Sequence, residues 1–464
     1  MDVRIKFLGA DRTVTGSKHL VEIDDYRVMI DCGMFQGMKV LRLRNWEDFP
    51  VDPSTIDAIL LTHAHIDHSG YLPRLVKEGF SGPIYCTPAT AGLVELLLRD
   101  SAKLQVEEAE YTRRKGYSHH QNPEALYNEK DVENVLPMIQ TVEFGQPLIL
   151  KNGAYVEFIR AGHILGASMI RMSLKGENQK KTILFSGDLG KYDDPLHPPP
   201  TEIESADILL VESTYANKAP VHTNIIEQLA SKLNHALNRG GCVVIPAFAV
   251  GRTQMILYYL RQLFAKGLIP SNVAVYVDSP MAIAATKLYK RDLDKTFAGH
   301  QLEDEIFHFP QLHYISDQSV SIGLNEIKSN AIIISASGMG TGGRILHHLA
   351  NRLPRQDDTV LFIGFQVEGT RGRALLDGQP EIRIFGEMFP VYCDIKQVEG
   401  FSAHADQDEL HRWLDAFKGS PKMTFVVHGE IDAAVALKDH IKKTKGWNVF
   451  VPEYLESFKL FSGI

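Results

Sequence analysis

Between residues 58 and 68 the chain reads Ala58-Ile59-Leu60-Leu61-Thr62-His63-Ala64-His65-Ile66-Asp67-His68. No other stretch constrains its fold and chemistry as strongly. Ala58 to Leu61 is a short apolar run, the pattern of a buried strand. Three histidines and an aspartate follow at its tip in H-x-H-x-D-H order. Side chains two apart on extended backbone share a face, so His63 and His65 are placed to grip one ion. Asp67 and His68 are adjacent and diverge, which suits a second ion beside the first. Imidazole with carboxylate favours zinc, iron or manganese over magnesium or calcium. The bland alternative is a polar loop that happens to be rich in histidine. Ligand-type residues packed this tightly at a strand end argue against it, and we read the stretch as a two-metal site.

The same device recurs along the chain. Tyr155 to Arg160 reads as a strand and delivers Ala161-Gly162-His163, and Thr182 to Ser186 runs into Gly187-Asp188. A lone His163 is more often structural, but the repetition supports two further ligands. Asp188 suits a bridging place because a carboxylate has two oxygens. Ile208 to Val211 is tipped by Glu212, and Met423 to Val427 ends at His428. Ile30 leads into Asp31-Cys32-Gly33, where Asp31 caps a turn as readily as it serves a site. His119 and His120 sit in a polar loop with no apolar strand before them, so we expect them exposed in solvent.

A chain of 464 residues exceeds one ordinary core and suggests two or three domains. Strands and helices alternate from about Thr223 to Gly386, which implies a parallel sheet with its own core, read here as an inserted domain. Site-like residues then return at Ser402-Ala403-His404. With 49 basic against 57 acidic side chains the net charge is −8. Nucleic-acid binding would therefore rest on a local basic cleft or on the metals. The 4 cysteines, Cys32, Cys86, Cys242 and Cys393, are scattered and expected to be buried free thiols. The N-terminus lacks the plan of a signal peptide, and no apolar run is long enough to span a bilayer. The expected setting is the cytoplasm, with no membrane partner.

Taken together, these residues resemble the metallo-β-lactamase superfamily and, within it, the β-CASP nuclease branch. That branch includes bacterial RNases and the cleavage subunit of the polyadenylation machinery. Asp31 matches the first motif, His63 to His68 the second, His163 the third and Asp188 the fourth. Glu212, His404 and His428 match the three motifs of the branch. Gly9 to Ser17, Pro246 to Gln254, Ser335 to Met339 and Gly369 to Arg373 resemble further hallmarks. His428 stands where DNA-directed members carry an apolar residue, so the resemblance points to RNA. It implies an α/β fold: an αββα sandwich with an inserted α/β β-CASP domain and the active site between them. The expected division is residues 1–215, an insertion over 216–390, and a return segment over 391–464. Implied ligands are His63, His65 and His163 for one ion and Asp67, His68 and His428 for the other, bridged by Asp188. Asp31 would orient ligand histidines.

The expected chemistry is hydrolysis of RNA phosphodiester bonds with two divalent ions, Zn2+ first and Mn2+ or Fe2+ next. Asp67 would handle the proton of the attacking water. His404, not needed as a ligand, is the expected general acid, supported by Glu212. Arg252, Arg371 and Arg373 are candidates for RNA phosphates, as are Ser337-Gly338 and Ser402. Surface or structural roles explain each of these nearly as well. Cleavage inside the strand is expected. A 5′-exonuclease, a DNA-directed nuclease, a hydrolase of small esters, thioesters or lactams, and an inactive scaffold are the alternatives. Filled ligand positions argue against the scaffold, and the insertion with Glu212 and His404 argues against the small-molecule enzyme. A homodimer stays open.

Overall fold

The computed structural model describes every residue except 116–123, 177–178, 221–223, 294–305, 365, 367 and 464. His119 and His120 lie outside the described residues. The chain forms two compact units: Met1–Pro220 with His404–Ile464, and Val221–Ala403.

The first unit is a sandwich of two mixed sheets. Val3–Gly9 alternates buried and exposed side chains through Val3, Arg4 and Ile5, and pairs with Lys18–Ile23. That strand turns across Asp24-Asp25 into Tyr26–Ile30, as the hairpin spacing predicts. Parallel strands Ala58–Leu60, Ile84–Cys86 and Ile139–Thr141 extend this sheet on one side, and Ser457–Phe461 closes it on the other. The second sheet runs Val449–Phe450, Met423–Val427, Ile208–Glu212, Lys180–Phe185, Ser168–Lys175, Ala154–Arg160 and Pro147–Ile149. Val3, Ile5, Phe7, Val21 and Val28 from one sheet pack with Phe158, Ile170, Met172, Ile183 and Phe425 from the other. Each fully buried side chain of this size is worth about 1.5–3 kcal/mol relative to exposure. The two sheets therefore hold each other rigidly, and their strand ends make a fixed frame for side chains at the tips.

Met423–Val427 sits directly beside Ile208–Glu212 in parallel register, Glu212 opposite Val427. This pairing brings the return segment into the sandwich and places residue 428 beside residue 213.

The second unit is built on strands Leu312–Tyr314, Ala274–Val277, Ala331–Ser335, Val243–Pro246, Thr359–Ile363 and Asp394–Val398. All of these pair in parallel, as alternation of strand and helix requires. Helix Ile225–Asn238 leads into Val243–Pro246, and Arg252–Ala265 connects that strand to Ala274–Val277. Asn224 caps the first, its side chain accepting from the backbone N–H groups of Ile226 and Glu227. The sequence reading places the return at residue 391, and the compact first unit resumes at His404. Asp394–Val398 completes this sheet by pairing with Thr359–Ile363, and only the residues after it rejoin the first unit. All four cysteines are buried and free. Among the described residues no helix is long and apolar enough to cross a membrane.

Candidate metal centre

The strand that leads to the histidine cluster ends at Leu60, and a single helical turn, Ile66–Ser69, begins after it. His63 and His65 thus stand in the connecting loop just past the strand end, His65 with φ −54° and ψ 148°. His65 is the residue before the turn, and Asp67 and His68 lie on it. The loop is held by its neighbours. Ser17 N–H donates to the Asp67 carbonyl at 2.8 Å, and Met34 N–H to the Ile66 carbonyl at 2.9 Å. A Cβ on Gly33 would lie 1.6 Å from the Asp67 carbonyl oxygen, so only glycine lets these segments meet. That contact explains why the Gly9–Ser17 hallmark and the turn after Asp31 belong to the same structure.

Three groups of side chains converge on Asp188: His63, His65 and His163 with Asp188 itself, then Asp67, His68 and His428, then Asp188 with Glu212 and His404. In the first, His65 Nδ1 lies 3.1 Å from His63 Nε2 and 3.2 Å from His163 Nε2. Asp188 Oδ2 is 3.5 Å from His63 Nε2 and 3.6 Å from His163 Nε2. In the second, His68 Nε2 and His428 Nε2 are 3.0 Å apart, with Asp67 Oδ2 3.4 Å from the latter. Asp188 Oδ1 faces this side, 3.3 Å from His68 Nε2 and 3.3 Å from His428 Nδ1. One oxygen of Asp188 therefore addresses each group.

The donors fit divalent ions. Metal–nitrogen bonds of about 2.0–2.1 Å in a tetrahedron set donor atoms roughly 3.3 Å apart, close to the spacings seen. Asp188 Oδ1 is buried with no hydrogen-bond partner, a costly state for a carboxylate unless a cation faces it. The electrostatics agree. Burial holds His63 well below the ordinary imidazole range, helped by His68, and burial holds His65 down at about 4. Burial opposes charge on Asp188, yet His428, His68 and His63 hold it well below the usual carboxylate range. Burial likewise opposes charge on His68, but Asp188 and Asp31 pull it well above the usual value. The pocket is arranged for positive charge among anionic and lone-pair donors.

The supports around these donors are also in place. Asp31 Oδ2 lies 2.7 Å from His68 Nδ1, as its expected orienting role requires. Two residues that the sequence did not mark join it. Thr62 Oγ1 stands 2.9 Å from Asp31 Oδ2 and 3.1 Å from His63 Nδ1, linking the two ligand-bearing rings. Thr214 Oγ1 stands 3.1 Å from His428 Nδ1. Threonine before a strand-tip histidine was the available signal for the first.

Glu212, fully buried at the end of its strand, accepts from Leu189 N–H at 2.6 Å through Oε1. The same oxygen lies 3.3 Å from His404 Nδ1. His404 is fixed by a β-bridge with Gly190 and remains one-fifth exposed. Burial works against its charge, but Glu212 and Asp188 push its pKa up to about 9.

The candidate phosphate contacts fare differently. Arg371 gives Nε to the Arg383 carbonyl at 2.8 Å and an Nη to the carbonyls of Gly340 and Thr341. Arg252 donates to the Ile363 carbonyl, and Arg373 pairs with Asp377 at 2.8 Å. Arg252 and Arg371 thus meet backbone carbonyls of the second unit, and the Arg373–Asp377 pair lies at the surface. Ser337 Oγ accepts from Thr341 N–H at 2.9 Å in a tight turn. Ser402 lies two residues before His404 in sequence, in the other unit.

Comparison with known proteins accords with this architecture. Residues 20–188 match the metallo-beta-lactamase superfamily domain, 253–375 the Beta-Casp domain, and 388–452 a Zn-dependent metallo-hydrolase RNA specificity domain. The chain is 36% identical to Ribonuclease TTHA0252 of Thermus thermophilus, over 94% of this chain and 95% of that protein. It is 30% identical to an RNase J-like protein of Methanocaldococcus jannaschii, over 97% and 98%. It is 27% identical to Transcription termination factor FttA of the same organism, over 99% of this chain and 72% of that one. A crystal structure of a protein of unknown function from Enterococcus faecalis shares the fold, with a TM-score of 0.57 at 13% identity, covering 99% of this chain and 100% of that chain. The chain belongs to the metallo-β-lactamase superfamily, in its β-CASP ribonuclease branch.

Proposed function

We propose that this protein is an endoribonuclease that hydrolyses RNA phosphodiester bonds with two zinc ions. The observation that carries the reading is the placing of Asp188, one carboxylate oxygen toward each group of ligands. The ribonuclease relatives and the RNA specificity match support RNA as the substrate. His63, His65 and His163 would hold one ion and Asp67, His68 and His428 the other. Bound there, the ions would raise the acidity of water and offset charge on the phosphate.

The chain's own groups do the rest. Asp67 is the one partly exposed member of its group, so it can hold the proton of the attacking water while still facing His428. His404 carries a proton on Nδ1 toward Glu212 and offers its Nε2 proton to the departing ribose oxygen. Glu212 fixes the ring's orientation and keeps it charged. Asp31 and Thr62 hold the rings of His68 and His63 in place.

The test is digestion of matched RNA and DNA, labelled at the 5′ end and carrying either a 5′-hydroxyl or a 5′-phosphate. Internal fragments from both RNAs and little loss of DNA support the proposal. Stepwise release of mononucleotides from the phosphorylated RNA alone would replace it with a 5′-exonuclease, and preferred cutting of DNA would overturn it.

A further inference from the structure

His19 stands where an apolar side chain would cost least. It lies on strand Lys18–Ile23, opposite Ile30 on one side and Phe7 on the other, and is only 5% exposed. Its ring meets Phe7 edge-on at 5.5 Å, and Phe7 in turn packs on Phe425. Burial keeps this imidazole neutral, pushing its pKa down to about 3. A neutral ring has one donor and one acceptor nitrogen, and both need partners when buried. Among the described residues Nδ1 has none.

A cavity borders this ring. Its wall includes Ser17, His19, Asp31, His68, Asp188 and His428, and its volume is about 20 Å³. A water needs about 10–15 Å³ and two to four polar partners. His63, His65, Asp67, His163 and His404 take no part in the wall. Its other walls include Ile30, Phe185, Leu210 and Val427 of the sandwich interior, so the cavity reaches from the second group of donors into the core.

We propose that one buried water joins Nδ1 of His19 to the Asp31 carboxylate, making His19 a positioning residue for the second half of the metal centre. Asp31 already lies 2.7 Å from His68 Nδ1. With the water in place, a chain of contacts runs from the sheet interior through Asp31 to a ligand ring. Loss of His19 would remove one support of Asp31, which Thr62 also holds through its N–H at 2.7 Å and its Oγ1 at 2.9 Å. Supports of this kind change metal affinity by about 10–100-fold. The inference rests on the two-metal reading above, and its test separates the two.

The direct test is a crystal structure of the zinc-loaded full chain at a resolution that orders water. One water within about 2.7–3.2 Å of His19 Nδ1 and of Asp31 is expected. An empty cavity, or Nδ1 bonded to another protein group, overturns the proposal. The second test is chelator competition on wild type, His19→Leu and His19→Gln, with zinc counted per chain. His19→Leu should release one of its two ions at about 10–100-fold lower chelator, and His19→Gln, which keeps polar atoms there, should restore most of the loss. Should His19→Leu fail to fold, the His19→Gln curve and the wild-type water still decide. Competition curves that match wild type for both variants sink the role of His19 alone. A wild-type chain that takes up no zinc sinks the metal reading and this role together.

Discussion

Glu212 and His404, 192 residues apart in the chain, meet at 3.3 Å between a buried carboxylate oxygen and a ring Nδ1. Leu189 N–H donates to the same oxygen, so the carboxylate cannot swing away. The pair makes an imidazole whose charged form is favoured well above the ordinary range. His404→Ala should lower turnover by about 10²–10⁴-fold while the metal count stays at wild type. Parallel measurement of phosphodiester cleavage and bound zinc checks this. Full turnover in the variant would remove His404 from the reaction.

The pH profile gives a second reading of that pair. His404 is held up at about 9, so the acid form persists until pH passes that value. Activity should fall on the alkaline side near pH 9, and Glu212→Gln should move that limb toward about 6.5. The same shift bears on stability. A pKa raised on folding contributes stability fully below about 6.5, and the contribution is lost as pH rises through about 9. An alkaline limb that does not move in Glu212→Gln would refute the coupling.

Asp188 is the residue that the two groups of ligands share. Asp188→Asn keeps its shape and removes its charge, and it should lower occupancy of both ions, where loss of His163 affects one. Zinc measured per chain, beside cleavage activity, distinguishes these outcomes. Chelation of the wild type should abolish cleavage, and added zinc should restore it.

Thr62 carries a hydroxyl between Asp31 and His63, so Thr62→Val tests orientation without changing bulk. Metal affinity should fall by about 10–100-fold in chelator competition, with the fold kept. An unchanged affinity would make the hydroxyl a bystander.

A prediction away from the centre concerns His411 and His440, on helices Gln407–Asp415 and Ile431–Lys445. Their rings stack 3.4 Å apart and nearly parallel, at 6°. Burial holds both below the usual imidazole range, and His440 adds to the reluctance of His411 to charge. Asp408, Asp415, Lys443 and Lys445 are the charged groups around them. Unfolded histidine titrates near about 6.5, so the unfolded chain takes up protons first as pH falls. Stability should be unaffected by the pair above that pH and should decline below it. Urea midpoints at pH 7.5 and 5 measure the decline, which His440→Gln should reduce.

Much of this structure was legible in the sequence because the sandwich puts its ligands at strand tips. Apolar runs before His163, Asp188, Glu212 and His428 each announce a buried strand; parallel pairing joins the last three, and the antiparallel strand Ser168–Lys175 sets the strand before His163 in the same direction. Thr62 and Thr214 escape notice because threonine is ordinary in and around strands. The carbonyl contacts of Arg252 and Arg371 were not legible, because a guanidinium suits carbonyl oxygens as well as phosphate and sequence does not separate them. Asp394–Val398 hides as a strand because Asp394, Lys396 and Gln397 break its apolar run. It enters the sheet through backbone pairing with Thr359–Ile363, which no side-chain pattern records.

Met423–Val427 brings His428 to within 3.0 Å of His68, a ring 360 residues earlier in the chain. A chain cut before that strand would keep His63, His65, His163 and Asp188 and lose His428. The second group of donors therefore closes only once that strand has paired with Ile208–Glu212, which ties completion of the centre to folding of the sheet.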